Sequence, residues 1–554
     1  MGSTTTGTAG SSAGTTEHEH EPDHEHLDVV VVGAGLSGVG AAATLLRRHP
    51  DLDLAVLESR DVIGGTWDLF RYPGVRSDSD MYTLGYAARP WAGEKALADG
   101  DDIRTYVQET AAETGVAQRV RYRQRVVAAS WRSEDSRWVL TVLHRAPGEG
   151  GGASGEWREG DGGSTTTLTC SFLLCCTGYY RYDEGHRPEI PGLEDFSGDV
   201  VHPQHWPADL DVDGRRVVVV GSGATAVTLV PALARRGARV TMLQRSPTYV
   251  AAVPSRDRLA MRLRGRVPAP VAQKAVRAKH IAGSMLLYQY ARRRPAAMRA
   301  LLERSAAEKL PEGYDVATHF RPRYEPWDQR LCAAPGGDLF RAISSGAAEV
   351  VTDAIERVDA QGVRLASGGR VDADVLVTAT GLSVLVLGGI RLDVDGRPVE
   401  PGGRLAWKGM MLDGLPNLAY TIGYVNSSWT LRADLVASAV ADLLGAMRRR
   451  GAPAVVAQAP AGAADTRPVI DLAAGYVRRG LAQLPRQSDR APWRVHQNYL
   501  LDLLSLRVDR RARDLRFLPA GAQPDPRPRA GTGAGSSAGT GSGADAGAPL
   551  APAA

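Results

Sequence analysis

An α/β fold with two separate strand–helix–strand units, a helical insertion and disordered ends is predicted by three observations. Glycine-punctuated turns follow β-branched runs at residues 28–38 and again at 216–226. A stretch of helical periodicity rich in Ala, Arg and Leu runs from Ala251 to about Gln329. Residues 1–26 and 519–554 are rich in Gly, Ala, Ser, Thr and Pro and almost devoid of large apolar side chains. Such ends cannot bury enough surface to offset the entropy of ordering them.

The first unit begins with the apolar run Asp28–Val32, followed by Gly33-Ala-Gly35-Leu-Ser-Gly38, a helical pattern to Arg48, and a second strand, Asp53–Glu58. In a dinucleotide-binding turn the first glycine makes the tight bend and the second lets the backbone approach a pyrophosphate. The third lets the helix pack closely on the strand. Phosphates then lie at the positive end of the helix. Glu58, twenty residues after Gly38, stands where a carboxylate accepts hydrogen bonds from a ribose diol.

The pattern recurs. Arg216–Val220 leads into Gly221-Ser-Gly223-Ala-Thr-Ala226, a helix to about Arg236, and the strand Arg239–Gln244. The position matching Glu58 is Gln244, and Arg245 and Ser246 follow. A neutral residue beside an arginine suits a 2′-phosphate, which a carboxylate would repel, so this site is expected to prefer NADPH to NADH. A second unit holding no nucleotide is the plainer alternative. Two Rossmann-like dinucleotide-binding domains in one chain point to FAD in the first and NADPH in the second. Disulfide reduction, simple electron transfer and oxygen activation are the candidate chemistries.

Composition narrows these. The 554 residues are 43% hydrophobic and 23% charged, enough for two or three domains with their own cores. The 66 basic and 62 acidic residues give a net charge of +4, too balanced to indicate nucleic acid. Four cysteines, Cys170, Cys175, Cys176 and Cys332, include no Cys-x-x-Cys pair, and Cys175–Cys176 sit in an apolar run. A redox-active disulfide is therefore disfavoured and reduced thiols are expected. The N-terminus lacks a basic, then apolar, secretory pattern, and the longest apolar run, Val375–Ile390, is too short to span a bilayer. A cytoplasmic protein is expected. His18, His20, His24 and His26 crowd the N-terminal end among carboxylates. A solvated tail accounts for them, and no metal site is expected.

Between the glycine motifs lies Phe196-Ser-Gly198-Asp-Val-Val-His202-Pro-Gln-His-Trp206-Pro207. It resembles, position for position, the fingerprint of the Baeyer–Villiger monooxygenases. A second signature of that family is also complete: Gly64-Gly65-Thr-Trp67-Asp-Leu-Phe-Arg-Tyr72-Pro73-Gly74-Val-Arg-Ser-Asp78. Stretches such as GGTWDLFRYPGVRSDSDMYTLGY (which includes Tyr82), LQRSPTY, PWDQRLC and TATGL are similar to the ethionamide-activating members of the family. The resemblance runs from about Leu27 to Leu518, apart from the Gly-rich stretch 147–163.

The resemblance implies that NADPH reduces FAD and that O2 then oxygenates a lipophilic ketone to an ester or lactone. S-oxygenation of thioamides or thioethers is implied as well. Gly65, Trp67, Asp78 and Tyr82 would contact the flavin. Arg330, in Pro326-Trp-Asp-Gln-Arg330, would be the catalytic arginine, its guanidinium stabilising negative oxygen, with Asp78 orienting it. His202 would be a hinge residue rather than a general base. Thr380-Gly381 would return the chain to the first domain. Gln329 departs from the family, where many members have lysine, and leaves more of the 2′-phosphate recognition to Arg245 and Ser246. Trp429 is either a cavity wall or an ordinary core residue.

The expected organisation is a tail, 1–26; a first FAD-binding segment, 27–180; a linker with the fingerprint, 181–213; a first NADPH-binding segment, 214–250; a helical insertion, 251–329; a second NADPH-binding segment, 330–380; a second FAD-binding segment, 381–518; and a tail, 519–554. Arg256–Lys309 holds fourteen Lys or Arg against three acids. A solvated helical face explains this charge, and peripheral contact with an anionic membrane is the alternative. Two other functions stay open: an N- or S-hydroxylating flavin monooxygenase without ketone activity, and a non-catalytic flavin and NADPH sensor.

Overall fold

A computed structural model describes residues 24–146, 163–329, 331–460, 466–508 and 513–524. The Gly-rich stretch 147–162, residues 1–23 and 525–554, and Arg330 lie outside the described residues.

Two sheets organise the described residues. The first, of nine strands, has at its centre Ser164–Cys175, which does two jobs. Its early residues run antiparallel to Arg137–His144, which in turn pairs with Gln124–Arg132. Its later residues run parallel to His26–Val32, which pairs with Leu54–Leu57. Leu418–Tyr420 joins the same strand in parallel from far along the chain. The near-continuous apolar runs of these parallel strands fit burial on both faces. The helix Leu36–Arg48 covers one face and packs against Trp429–Arg450.

The first strand starts one residue before the boundary read at Leu27. His26 opens the first strand, and its Nδ1 lies 2.9 Å from Thr169 Oγ1. A cross-strand partner draws this polar residue into the sheet, a long-range effect that composition does not report.

The second sheet is wholly parallel, in the order Ala348–Thr352, Arg239–Gln244, Arg216–Val220, Val375–Thr378, Asp199–Val201. The helix Ala224–Ala234 ends two residues short of the expected Arg236. A turn at Gly237 (φ +85°) reverses the chain into the next strand.

Between Val250–Val253 and Cys332–Pro335, which pair in parallel, the chain leaves the second sheet. It forms the helices Arg258–Leu263, Ala269–Arg293, Pro295–Ala307 and Val316–Phe320. This is the expected helical insertion. On the longest of these helices Leu286, Leu287 and Tyr290 are exposed, Leu286 to 70%. Among the described residues no helix is long and apolar enough to cross a membrane, and no group of three or more His, Cys, Asp or Glu could hold a metal ion.

Two crossovers join the sheets, and they run side by side. Tyr180–Gly185 pairs antiparallel with Leu382–Val384, and Asp199–Val201 pairs in parallel with Val375–Thr378.

Candidate active site

The first glycine turn is built around close approaches. A Cβ on Gly38 would stand 1.8 Å from the Gly33 carbonyl oxygen, so only glycine lets this helix start against this strand. Gly65 (φ +56°) crosses over Gly35, where a Cβ would meet the Gly35 Cα at 2.8 Å. The helix N-terminus and the loop 64–67 thus make one narrow passage.

A cleft of about 860 Å³ opens from this turn, lined by Gly33, Gly35, Glu58, Arg60, Gly65 and Tyr182 among others. Glu58 is buried, and its carboxylate accepts from Ala34 N at 2.7 Å and Arg60 N at 2.9 Å. Burial raises its pKa, and those backbone donors oppose the rise. Each oxygen keeps lone-pair capacity for a ribose diol. Arg60, which the sequence reading passed over, donates from Nη2 to Asp68 Oδ2 at 2.6 Å, with both side chains nearly fully buried. Its Nε and Nη1 are buried with no partner among the described residues. An unmatched guanidinium edge in a glycine-lined cleft is what an anionic group such as a pyrophosphate would satisfy. These residues fit a dinucleotide.

A second cleft of about 1010 Å³ shares Gly35, Cys176, Tyr180 and Tyr182 with the first. Trp67, Asp78, Leu84, Tyr179, Tyr424 and Trp429 extend it. Trp429 is therefore a cavity wall: its ring stacks on Tyr179 at 5.3 Å and its Nε1 donates to Ser37 Oγ at 2.7 Å. Tyr424 is held from behind, its hydroxyl donating to the buried Asp502 at 2.8 Å, and Asp502 also pairs with buried Arg432. Cys176 faces this cleft as a thiol whose pKa burial pushes up to about 12. All four cysteines are buried and none is in a disulfide. A protonated, buried thiol is no redox nucleophile.

The second glycine motif has a different neighbour. Tyr72 packs in the core of the second sheet and shares a hydrogen bond with Thr225 of the motif. A Cβ on Gly74 would meet Ala232 at 2.7 Å. Arg76 donates to both oxygens of Asp338, at 2.6 and 3.3 Å, with both side chains nearly buried. The loop ending at Asp78 therefore ties the first cleft to the second nucleotide unit. Nothing lies within 4 Å of where a Gly223 Cβ would stand. Gln244 turns inward, donating to His319 O and Thr352 Oγ1, both at 2.8 Å. Arg245 and Ser246 are exposed, and Arg245 has no ion-pair partner among the described residues.

The segment from Phe196 to Pro207 lies on the crossovers. Gly198 lets Phe196 and the Asp374 carbonyl approach, and Trp206 packs on the second core while Pro207 is exposed. His202 is buried with its ring against Gly185, and its Nδ1 accepts from Gln204 N at 3.2 Å. Burial, reinforced by His205, lowers its pKa to about 4, so near pH 7 it is a neutral imidazole without the imidazolium proton of a general acid. Thr380 donates to His186 O at 2.7 Å, and His186 N donates to Gly381 O at 3.2 Å. Both crossovers are thereby knitted together.

Residues 27–266 match the family described as pyridine nucleotide-disulphide oxidoreductase. The chain is 50% identical over 480 residues to the FAD-containing monooxygenase EthA of Mycobacterium tuberculosis, covering 86% of this chain and 95% of that protein. The chain belongs to the EthA family of FAD-containing monooxygenases. EthA of Mycolicibacterium smegmatis is 47% identical over 483 residues, covering 87% of this chain and 95% of its own. The fold matches a solved oxidized steroid monooxygenase bound to NADP, with TM-score 0.67 and 21% identity over 89% of this chain and 100% of that one. The chain is a flavin-dependent monooxygenase with FAD and NADP(H) as cofactors.

Within this EthA-family chain, Gly33, Gly35, Glu58 and Gly65 line the first cleft, with Gly38 packed just behind it, and Trp67 and Asp78 line the second. Tyr82 is not among them. Its ring lies tilted against that of His280, with centroids 5.1 Å apart, and it lines a separate cleft against the helical insertion. The one-turn helix Met81–Leu84 turns Leu84 toward the second cleft and Tyr82 the other way. Arg330 lies outside the described residues. Beyond Arg60, the sequence reading missed Tyr179, Tyr180 and Tyr424. The first two follow Thr177-Gly178 at the end of a strand, where nucleotide clefts open, and that position was the available signal.

Proposed function

We propose that the chain is a Baeyer–Villiger monooxygenase converting lipophilic ketones to esters or lactones, and that it also S-oxygenates thioamides or thioethers. The overall change takes a ketone, O2, NADPH and a proton to an ester, NADP+ and water. The observation that carries this reading is the full fingerprint, Phe196 to Pro207, lying on the paired crossovers that join the two nucleotide units. When bound, FAD supplies hydride acceptance and oxygen activation, chemistry no side chain provides.

The chain's own residues do the rest. Glu58 accepts from the ribose of FAD, and Arg60 offers its free edge to the phosphates. Trp67, Tyr179, Tyr180 and Trp429 exclude water and give a lipophilic substrate an apolar wall. Arg330 stabilises negative oxygen as the carbonyl is attacked, and Asp78 orients it. Arg245 and Ser246 read the 2′-phosphate.

Two experiments test this. Aerobic incubation with NADPH, 18O2 and a panel of ketones and thioethers should yield esters carrying one labelled oxygen, read by mass spectrometry. Labelled sulfoxides without ester would point to a hydroxylating monooxygenase, and peroxide alone would overturn the reading. Separately, Arg245→Ala should raise the KM for NADPH by roughly ten- to a hundredfold, the loss of one charge-assisted contact worth ~1.5–3 kcal/mol. The KM for NADH should barely move. Equal effects on both coenzymes would remove Arg245 from phosphate recognition.

A further inference from the structure

The cleft that Tyr82 lines shares no lining residue with the two clefts described above. It measures about 770 Å³ including its open mouth. One wall is the segment carrying Tyr82 and Trp91. The other is the start of the helical insertion, with Met261, Leu263, Val267 and Val276. Its charged lining residues, Glu94 and Arg264, are paired with each other at 2.8 Å, so they present no unmatched charge to a ligand.

Apolar walls this close would collapse together unless something held them apart. Polar pins do so around the cleft. Arg277 Nη1 donates to the carbonyls of Tyr82 and Gly85, both at 2.8 Å. His280 lies between Asp80, at 3.3 Å, and Asp257, at 3.0 Å, and Lys279 also pairs with Asp257. Ala96 N donates to Ser255 O at 2.9 Å. The aromatic wall is equally fixed. Trp91 Nε1 donates to Lys95 O at 3.1 Å, and Gly93 lies so close to the Trp91 ring that a Cβ would come within 2.2 Å of it. The Tyr82 phenol is pushed up to about 12, chiefly by burial, as expected in apolar surroundings.

We infer that this preformed space between Tyr82, Trp91 and the helical insertion is a binding site for a hydrocarbon chain. Apolar and aromatic walls, fixed apart and without an unpaired charge, recognise alkyl groups and little else. Such a chain could come from the tail of a long aliphatic substrate or from a separate alkyl or acyl lipid. The site stands apart from the flavin cleft, so its occupancy is measurable without turnover.

The test uses FAD-loaded enzyme titrated calorimetrically with primary alcohols from 1-hexanol to 1-decanol. Affinity should rise about fourfold per added methylene. Ala272→Phe and Ala92→Phe fill the cleft from opposite walls and touch no catalytic or cofactor residue. Each should weaken 1-decanol binding by about tenfold or more, while bound FAD and the NADPH oxidation rate stay at wild-type values. Unchanged 1-decanol affinity in a variant that keeps FAD would overturn the inference. A second arm compares kcat/KM for 2-dodecanone and 2-hexanone. A lower ratio in the filled variants assigns the chain to the substrate tail, and an unchanged ratio with weakened decanol binding assigns it to a separate lipid. Decanol binding that responds to both substitutions while neither ketone is oxidised would keep this site and remove only the ketone reading.

Discussion

Arg330→Ala is expected to cut ester formation by on the order of a hundredfold or more while FAD stays bound, by analogy with loss of one oxyanion-stabilising donor. FAD retention follows because Gly33, Gly35, Glu58 and Arg60, which line the first cleft, are untouched. Flavin reduction should slow but remain measurable, since the same charge can position the nicotinamide. NADPH would then be consumed with O2 converted to hydrogen peroxide instead of being inserted into the ketone. Arg330→Lys should rescue poorly, because a flexible ammonium reproduces neither the planar fork nor the fixed charge of a guanidinium. The assay pairs NADPH oxidation with peroxide and ester yield. Normal coupling in the alanine variant would dismiss Arg330 and make Arg323 and Arg341 the next candidates.

Gly38→Ala should strip FAD from the protein. The added methyl would stand 1.8 Å from the Gly33 carbonyl oxygen, and backbone cannot swing aside as a flexible side chain can. The helix must move off the strand, opening the turn that holds the pyrophosphate. We expect the Kd for FAD to rise on the order of a hundredfold, the upper end of an overpacking penalty of ~1–3 kcal/mol. Gly223→Ala, in the second glycine motif, is the control. Its methyl meets no protein atom within 4 Å, so FAD should remain and only NADPH binding should weaken. Flavin absorbance after gel filtration separates the two. A yellow Gly38→Ala protein with ordinary FAD affinity would show that the turn tolerates a side chain.

Local chemistry made much of this chain legible. Val29–Val32 and Val217–Val220 are β-branched runs that fit doubly buried parallel strands, and the glycines after them fit one kind of turn. The long helical insertion could be read from its periodicity, and the fingerprint from five constrained positions. Tyr82 could not be placed this way. It sits only four residues after Asp78, yet a single helical turn points it to the opposite side.

What sequence by itself determined was the pair of nucleotide-binding units, their order along the chain, and the family to which they belong. Each of those rests on residues within about thirty positions of one another, where spacing translates directly into geometry. Tertiary structure decided how the units meet. Arg76 reaches Asp338 across 262 residues, Tyr72 reaches Thr225, and Thr380 reaches His186 across 194. It also decided that Arg60 keeps an unmatched edge in the cleft and that Tyr82 and Trp91 wall a separate one. These contacts depend on the packing of distant segments, and the side chains involved are ordinary ones whose local sequence carries no mark of their partners.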